Sequence, residues 1–260
     1  MGSEIVTIKK IQTLETSYIV FGRMTRMPFI MGNEESYNDQ IRIFENKDEA
    51  ISFCSELQDK TKDILMVAEI HNAQMLHFYG GLFLIDVDEV VFKADGEEEV
   101  ILPLEKIVIK PDFSKHPAVN SNLQLSGLYF MQELAKNLPN DEKKKLPMLE
   151  EEMAANVSRG KFIVPVFVNA EEEENKDSKI MLPRIANKEG KQFQPLFTDI
   201  NEYMKFSKDS KYKLNVMDFD KVLHILDDSV EGAVINPLGM NITLSKKTLG
   251  IIKMRFDNVE

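Results

Sequence analysis

Ile41-Arg42-Ile43-Phe44 and Gln194-Pro195-Leu196-Phe197 decide the reading of this chain. Each is a short apolar strand ending in phenylalanine. Each is followed at once by a residue suited to open a helix, Asn46 in the first case and Thr198 or Asp199 in the second. Each is also followed nine positions later by a second phenylalanine on that helix, Phe53 and Phe206 (53 − 44 = 9 and 206 − 197 = 9). A strand, a cap and a phenylalanine at matched spacing in both halves predict a chain built twice on one plan.

The flanking sequence extends the match. Met27-Pro28 answers Leu182-Pro183. Gly81 stands 37 residues after Phe44, and Gly232 stands 35 after Phe197 (81 − 44 and 232 − 197), so both are read as glycines opening a late buried strand. The tail Ile101-Leu102-Pro103 to Ile109 is laid beside Ile242-Thr243-Leu244 to Ile252. Between them, strands are expected at 17–21, 27–31, 64–68, 82–87 and 104–109, with 90–93 and 100–102 as a hairpin about Ala94-Asp95-Gly96-Glu97. The whole stretch 7–24 reads as strand-like. Glu49 is read as the capping-box partner of Asn46, and Gly80-Gly81 as the break after a short helix at 73–79. In the second half, strands are expected at 162–168, 179–183, 193–197, 214–217 and 232–237, and helices at 199–206 and 219–226. Helical periodicity covers 123–138 and 147–157. The charged stretch 136–145, with Asn137, Pro139 and Asn140, is the expected boundary, and Lys143-Lys144-Lys145 within it reads as solvated. The fold class is therefore α/β, as two tandem modules at residues 10–135 and 146–260, each a mixed sheet with helices packed on it.

Once the strings are in place, the second half resembles the N-terminal domain of the SseB family, the enhanced serine sensitivity proteins. Four strings carry the likeness: Ile163-Val164-Pro165-Val166, Met181-Leu182-Pro183, Pro195-Leu196-Phe197-Thr198-Asp199 and Ala233-Val234-Ile235-Asn236-Pro237-Leu238-Gly239. The last is similar to the family's Asn-Pro-Gly ending with Leu238 inserted. The likeness runs roughly over residues 154–252. The first half resembles a degenerate copy, with Ile85-Asp86-Val87 where Asn-Pro would stand. The resemblance implies an α/β domain in a cytoplasmic bacterial protein and brings no established catalytic residues.

Composition sets the surroundings. Lys and Arg number 32 and Asp and Glu 43, a net charge of −11, so long-range forces oppose polyanions; nucleic acid and membranes are not expected as partners. No apolar run reaches the ~18 residues that span a bilayer, and no secretory leader is read at the N-terminus. The single cysteine, Cys54, fits a reducing compartment and falls on the apolar face of its helix. The acidic runs Glu150-Glu151-Glu152 and Glu171 to Glu174 read as a helix start and a solvated loop; a partner recognising them would be basic.

Catalytic spacing is not found. His71, His77, His116 and His224 form no metal-binding spacing, and Glu69, His71 and His77 lie too irregularly to act together. There is no Gly-x-Ser-x-Gly, no phosphate loop and no dinucleotide motif. No catalytic residue, metal or cofactor is assigned. Asn236-Pro237-Leu238-Gly239 reads first as a turn, since asparagine starts turns, proline fixes φ and glycine admits positive φ. The expected function is non-enzymatic, through protein–protein contact as regulator, adaptor or scaffold, with a homo-oligomer among its forms. The alternative is a small-metabolite binder or enzyme, with a ligand between the modules or at strand ends near Asp86 and Asn236.

Overall fold

The computed structural model describes residues 2–167, 181–208 and 212–256. The chain divides into two compact units, Met1–Asp112 with Leu128–Leu149, and Phe113–Gly127 with Glu150–Glu260. Both are mixed α/β structures.

The first unit runs α1 (Gly2–Thr13), β1 (Thr16–Gly22), β2 (Met27–Pro28), β3 (Met31–Gly32), β4 (Asp39–Phe44), α2 (Lys47–Thr61), β5 (Leu65–His71), α3 (Asn72–Leu82), β6 (Glu89–Lys93), β7 (Glu99–Pro103) and α4 (Leu104–Ile107). Its sheet places β1 between β5 and β4, both antiparallel to it. The parallel pair β4–β6 follows, and then the hairpin strand β7. Helix α2 closes one face with Ala50, Cys54 and Leu57 against Val20, Phe44 and Leu65. Asn46 caps it as the sequence predicts, its Oδ1 accepting the N–H of Asp48 at 2.8 Å and of Glu49 at 3.3 Å. Cys54 is 6% exposed, and burial pushes its thiol pKa up.

After the chain passes through α5 (Ser121–Ala135), a similar order follows, with one short strand described where the first unit has two: α6 (Leu146–Arg159), β8 (Lys161–Phe167), β9 (Ile185–Ala186), β10 (Gln192–Leu196), α7 (Ile200–Phe206), β11 (Tyr212–Asp218), α8 (Phe219–His224), β12 (Gly232–Ile235), β13 (Ile242–Ser245) and α9 (Lys246–Phe256). In the second unit β8 pairs antiparallel with β11, β10 lies parallel to β12, and β12 pairs antiparallel with β13. One reciprocal backbone pair, Ile163 with Phe197, joins β8 to the end of β10, as Tyr18 with Phe44 joins β1 to β4. The two phenylalanine pairs agree in geometry. Phe44 and Phe53 lie 5.4 Å apart at 43°, and Phe197 and Phe206 lie 5.3 Å apart at 44°.

Several expected details differ. Residues 7–13 belong to helix α1, not to a strand; the β-branched run Ile5-Val6-Thr7-Ile8 suggests extended chain, but Ile11 at the next turn is fully buried and tertiary packing decides. The single strand expected at 27–31 is two short bridges on either side of Phe29 and Ile30. Helix α3 passes through Gly80-Gly81 and ends at Leu82. Residues 83–85 form a 3-10 turn and not a buried strand, because Asp86 adopts a left-handed φ of 57° and stops extension. Residues 104–107 are the short helix α4. Lys143 is not solvated: it is 7% exposed and its Nζ donates to the carbonyl of Leu134 at 2.7 Å, closing the end of α5. The acidic run 171–174 and the strand start at 179–180 lie outside the described residues. Among the described residues, no helix is long and apolar enough to cross a membrane.

Gly81 and Gly232 are not counterparts. Gly232 opens β12, whose equivalent β6 opens at Glu89. A Cβ on Gly232 would stand 2.0 Å from the Leu244 carbonyl oxygen and 2.8 Å from the Ser245 Cα, both backbone atoms, whereas a Cβ on Gly81 meets nothing within 4 Å. Gly232→Ala is therefore expected to destabilise the protein by at least about 2 kcal/mol. Gly81→Ala, inside a helix, is expected to stabilise it by about 0.5–1 kcal/mol. Urea denaturation of the two variants checks both signs.

Candidate functional site

In open α/β sheets, the carboxyl ends of parallel strands, where the chain leaves in different directions, leave a crevice that serves as a site. The second unit has one such place, beyond Leu196 of β10 and Ile235 of β12. Thr198, Asp199, Glu202 and Asn236 gather there, each 4% exposed or less. Asn236 follows β12 with a φ of 48°, a conformation that its short polar side chain tolerates. Its Oδ1 accepts the Thr198 N–H at 3.0 Å and its Nδ2 donates to Thr198 Oγ1 at 2.8 Å. Thr198 Oγ1 in turn donates to Asp199 Oδ2 at 2.8 Å, and Gln124 Nε2 donates to the same oxygen at 2.7 Å. Asp199 Oδ1 caps α7 through the N–H groups of Asn201 at 2.8 Å and Glu202 at 3.1 Å. Asn120 ties the network to β8: its Nδ2 donates to the carbonyls of Thr198 and Lys161, and its Oδ1 accepts the Lys161 N–H.

Glu202 is the exception in this satisfied network. Lys205 pairs with its Oε1, but Oε2 is buried with no hydrogen-bond partner. Burial raises the carboxyl pKa, the neighbouring Asp199 adds to the rise, and Lys205 opposes it. Gly239 lies directly over this carboxylate, so close that a Cβ would come 2.4 Å from Oε2. The loop between Asn236 and Asn241 is pinned at both ends. Asn236 N–H donates to the Leu196 carbonyl, and the Gly239 and Asn241 N–H groups both donate to the Asn236 carbonyl, each at 2.9 Å. Met240 turns inward at 2% exposed, and Leu238 stands outward at 53%.

The first unit places other groups at the equivalent strand ends. Phe44 pairs with Lys93 across the parallel strands, so Lys93, not Ile85-Asp86-Val87, takes the place of Asn236. Glu45, Lys10 and Asp95 form its polar cluster: Lys10 pairs with Glu45 at 2.6 Å, and Glu45 Oε2 accepts the Asp95 N–H at 2.9 Å. Glu49, three residues past the Asn46 cap, does not complete a capping box: its Oε2 is buried without a partner, as Oε2 of Glu202 is in α7.

Asp86 lies elsewhere. It precedes β6, so it sits at the entry of that strand, while Asn236 sits at the exit of the equivalent β12. Asp86 lines a cleft of about 320 Å³ with Asp88, Glu89, Glu105 and Lys110. Burial and then the neighbouring Asp88 raise its pKa, against Lys110. Among the histidines, His71 Nδ1 lies 3.1 Å from Thr16 Oγ1 and Glu69 pairs with Lys47, so the two do not combine. Among the described residues, no three or more His, Cys, Asp or Glu side chains gather in a way that could hold a metal ion.

The buried network falls in a stretch with a recognisable relative. Residues 145–249 match the SseB protein N-terminal domain. The SseB match takes in Thr198, Asp199, Glu202, Asn236 and Gly239, and it leaves Asn120 and Gln124 outside. No curated protein matches the chain. Two solved structures are similar over most of its length. Tic22 from Plasmodium falciparum is 15% identical, covering 97% of this chain and 98% of its own, with a TM-score of 0.23. Anabaena Tic22 (protein transport) is 14% identical, covering 88% and 92%, also with a TM-score of 0.23. At those scores the likeness carries no argument about this chain.

Of the groups found here, sequence reading reached Thr198, Asp199 and Asn236 and missed Glu202, Gln124 and Asn120. Glu202 had a signal, three residues after the Asp199 cap. Gln124 and Asn120 had none, because what places them is packing of the α5 start.

Asn236→Ala strands the Thr198 N–H, removes the amide donor to the Thr198 hydroxyl oxygen and puts alanine in the left-handed region; a loss of about 2–3 kcal/mol in denaturant unfolding is expected. Glu202→Gln should act through pH. Because the folded-state pKa of Glu202 is raised, its contribution is fully present below the unfolded carboxylate pKa and is lost as pH rises through the folded one. The glutamine variant should therefore exceed the wild type by about 1 kcal/mol at pH 8, with the gap shrinking towards pH 4. Unfolding curves at the two pH values measure it.

Proposed function

We propose that this is a non-enzymatic cytoplasmic bacterial protein that works through protein–protein contact, as an adaptor or regulator. We further propose that its tandem modules, 10–135 and 146–260, descend from one ancestral module. The reading is carried by Leu238. A large apolar side chain is held 53% exposed at the tip of a loop whose feet are fixed by the buried network of Asn236, Thr198 and Asp199. An apolar side chain exposed on a pinned backbone suits binding, because little backbone conformational entropy remains to be lost when a partner covers it. The network's own polar groups face one another and the α7 backbone, which suits bracing. The −11 charge adds a long-range preference for a partner with a basic face.

The test is affinity capture with the wild type and with Leu238→Asp, followed by reconstitution with the purified partner. Leu238→Asp should leave stability within about 0.5 kcal/mol and weaken that complex at least about tenfold. Equal binding by the variant would reject the Leu238 surface, and turnover of a metabolite with no specific partner would reject the adaptor reading.

A second reading rests on the 320 Å³ cleft beside Asp86. Its carboxylates suit a small cationic metabolite. Binding of such a compound that is lost in Asp86→Asn would favour it.

A further inference from the structure

Strand β5 ends its sheet, pairing among the described residues only with β1. The ladder continues past both strand ends through Arg23 N–H to the Ile64 carbonyl at 2.9 Å and Asn72 N–H to the Glu15 carbonyl at 2.8 Å. In an antiparallel pair, hydrogen-bonded positions recur every second residue. Ile64, Met66, Ala68, Ile70 and Asn72 therefore turn their amides to β1, and Leu65, Val67, Glu69 and His71 turn theirs outward. The outward row is closed at both ends by glutamines. Leu65 N–H donates to Gln58 Oε1 at 2.9 Å, and His71 N–H donates to Gln74 Oε1 at 3.2 Å. Between these caps, the outward amides of Val67 and Glu69 have no partner among the described residues.

We propose that this window is a homodimer seam: two copies of the chain pair β5 to β5, antiparallel, about a two-fold axis through Ala68. In that register Val67 of each copy faces Glu69 of the other, and four backbone hydrogen bonds use the N–H and C=O groups of these two residues alone. Centring on Val67 would set Leu65 against Glu69, and Gln58 already holds the Leu65 N–H. Centring on Glu69 would oppose two like charges.

The side chains agree with the Ala68 register. Ala68, a small residue, meets its own copy at the position where antiparallel strands approach most closely, about 4.5 Å between Cα atoms. Met66, 37% exposed, faces Ile70. Glu69 faces Val67, and its charge is held by Lys47 at 2.5 Å. On α2, Lys47 and Gln58 both reach β5, and Ile51 lies on the helical stripe between them at 47% exposed, where a second strand would shelter it. A partner strand of other origin would need its own match to this short window, whereas the window matches itself. The interface is isologous and closes at two copies. It draws on none of the residues of the Leu238 loop, so failure of either proposal leaves the other standing.

Sedimentation equilibrium of the full chain over a concentration series should show the mass rising from 29.8 kDa towards twice that value. Added salt should strengthen association, because it screens repulsion between two copies of charge −11. Ala68→Cys should form an intermolecular disulfide under a mild oxidant, since the expected Cα separation lies within disulfide reach. Ile101→Cys on the far edge strand β7 should not. Ala68→Lys and Ala68→Glu should each weaken self-association at least about tenfold, and mixing them should restore a heterodimer. Wild-type protein that stays at 29.8 kDa throughout the series would overturn the seam. So would Ala68→Cys cross-linking no faster than Ile101→Cys, or folded Ala68→Lys that dimerises as the wild type does. Self-association weakened by salt would point to another, charge-driven interface and would equally reject this one.

Discussion

Each unit depends on one phenylalanine at the carboxyl end of a parallel strand. Phe197 is fully buried, and its N–H and C=O are exchanged with Ile163 at 3.1 and 2.8 Å. That pair fastens the β8–β11 ribbon to the four-stranded sheet. Its ring packs 5.5 Å from Tyr203 and 5.3 Å from Phe206, which seats α7 on the sheet. Phe44 does the same for β1 and α2 in the first unit. A single residue thus sets strand pairing through its backbone and helix position through its side chain. Truncating such a ring normally costs about 3–5 kcal/mol. For Phe197 the loss would fall on the joint between the β8–β11 ribbon and the four-stranded sheet.

The phenylalanine also decides what its neighbours can be. With the ring filling the space beneath the helix, the next residues along the chain must serve as cap and strand exit at once. Asn46 and Asp199 both do so by accepting two successive backbone N–H groups. Beyond the cap the units part. In the first, the exit is partly solvated and held by the ion pairs Lys10–Glu45 and Lys93–Glu49. Such pairs add little stability each when partly exposed. In the second, the exit is buried and held by amide, hydroxyl and carboxylate groups, so every donor needs a named acceptor. The unpartnered Oε2 of Glu202 shows what that burial costs, and Gly239 shows why it persists, since the loop lies directly on the carboxylate.

The parts of this arrangement that were legible in the sequence are those fixed by local rules. The Phe–cap–Phe spacing, the Asn46 and Asp199 caps and the 94–97 hairpin follow from chemistry within a few residues. Asn236 was visible as a turn residue, yet its clamp on Thr198 was not, because the partner lies 38 positions away. The failures were apolar runs whose period says little. Leu82-Phe83-Leu84-Ile85 fits a buried strand or a buried helix turn equally well, and a single left-handed residue, Asp86, ends the question. The equivalence of Gly81 with Gly232 failed because distance from an anchor counts residues and ignores register. The parallel pairing of β4 with β6 puts the true counterpart of Gly232 at Glu89.

Register also governs the sheet edge. An unpaired edge strand exposes backbone donors and acceptors that recruit other strands indiscriminately, and proteins blunt such edges with charge, proline or bulges. Strand β5 carries no proline, and its one acidic residue is neutralised by Lys47. Its protection comes instead from Gln58 on the preceding helix and Gln74 on the following one. Each bonds an outward N–H near one end of the strand. Because both caps act at the ends, they do not close the edge; they shorten it to a window centred on Ala68. A window of that length has too few groups to hold a strand in several registers. Whatever pairs there must therefore match Val67 and Glu69 in one alignment.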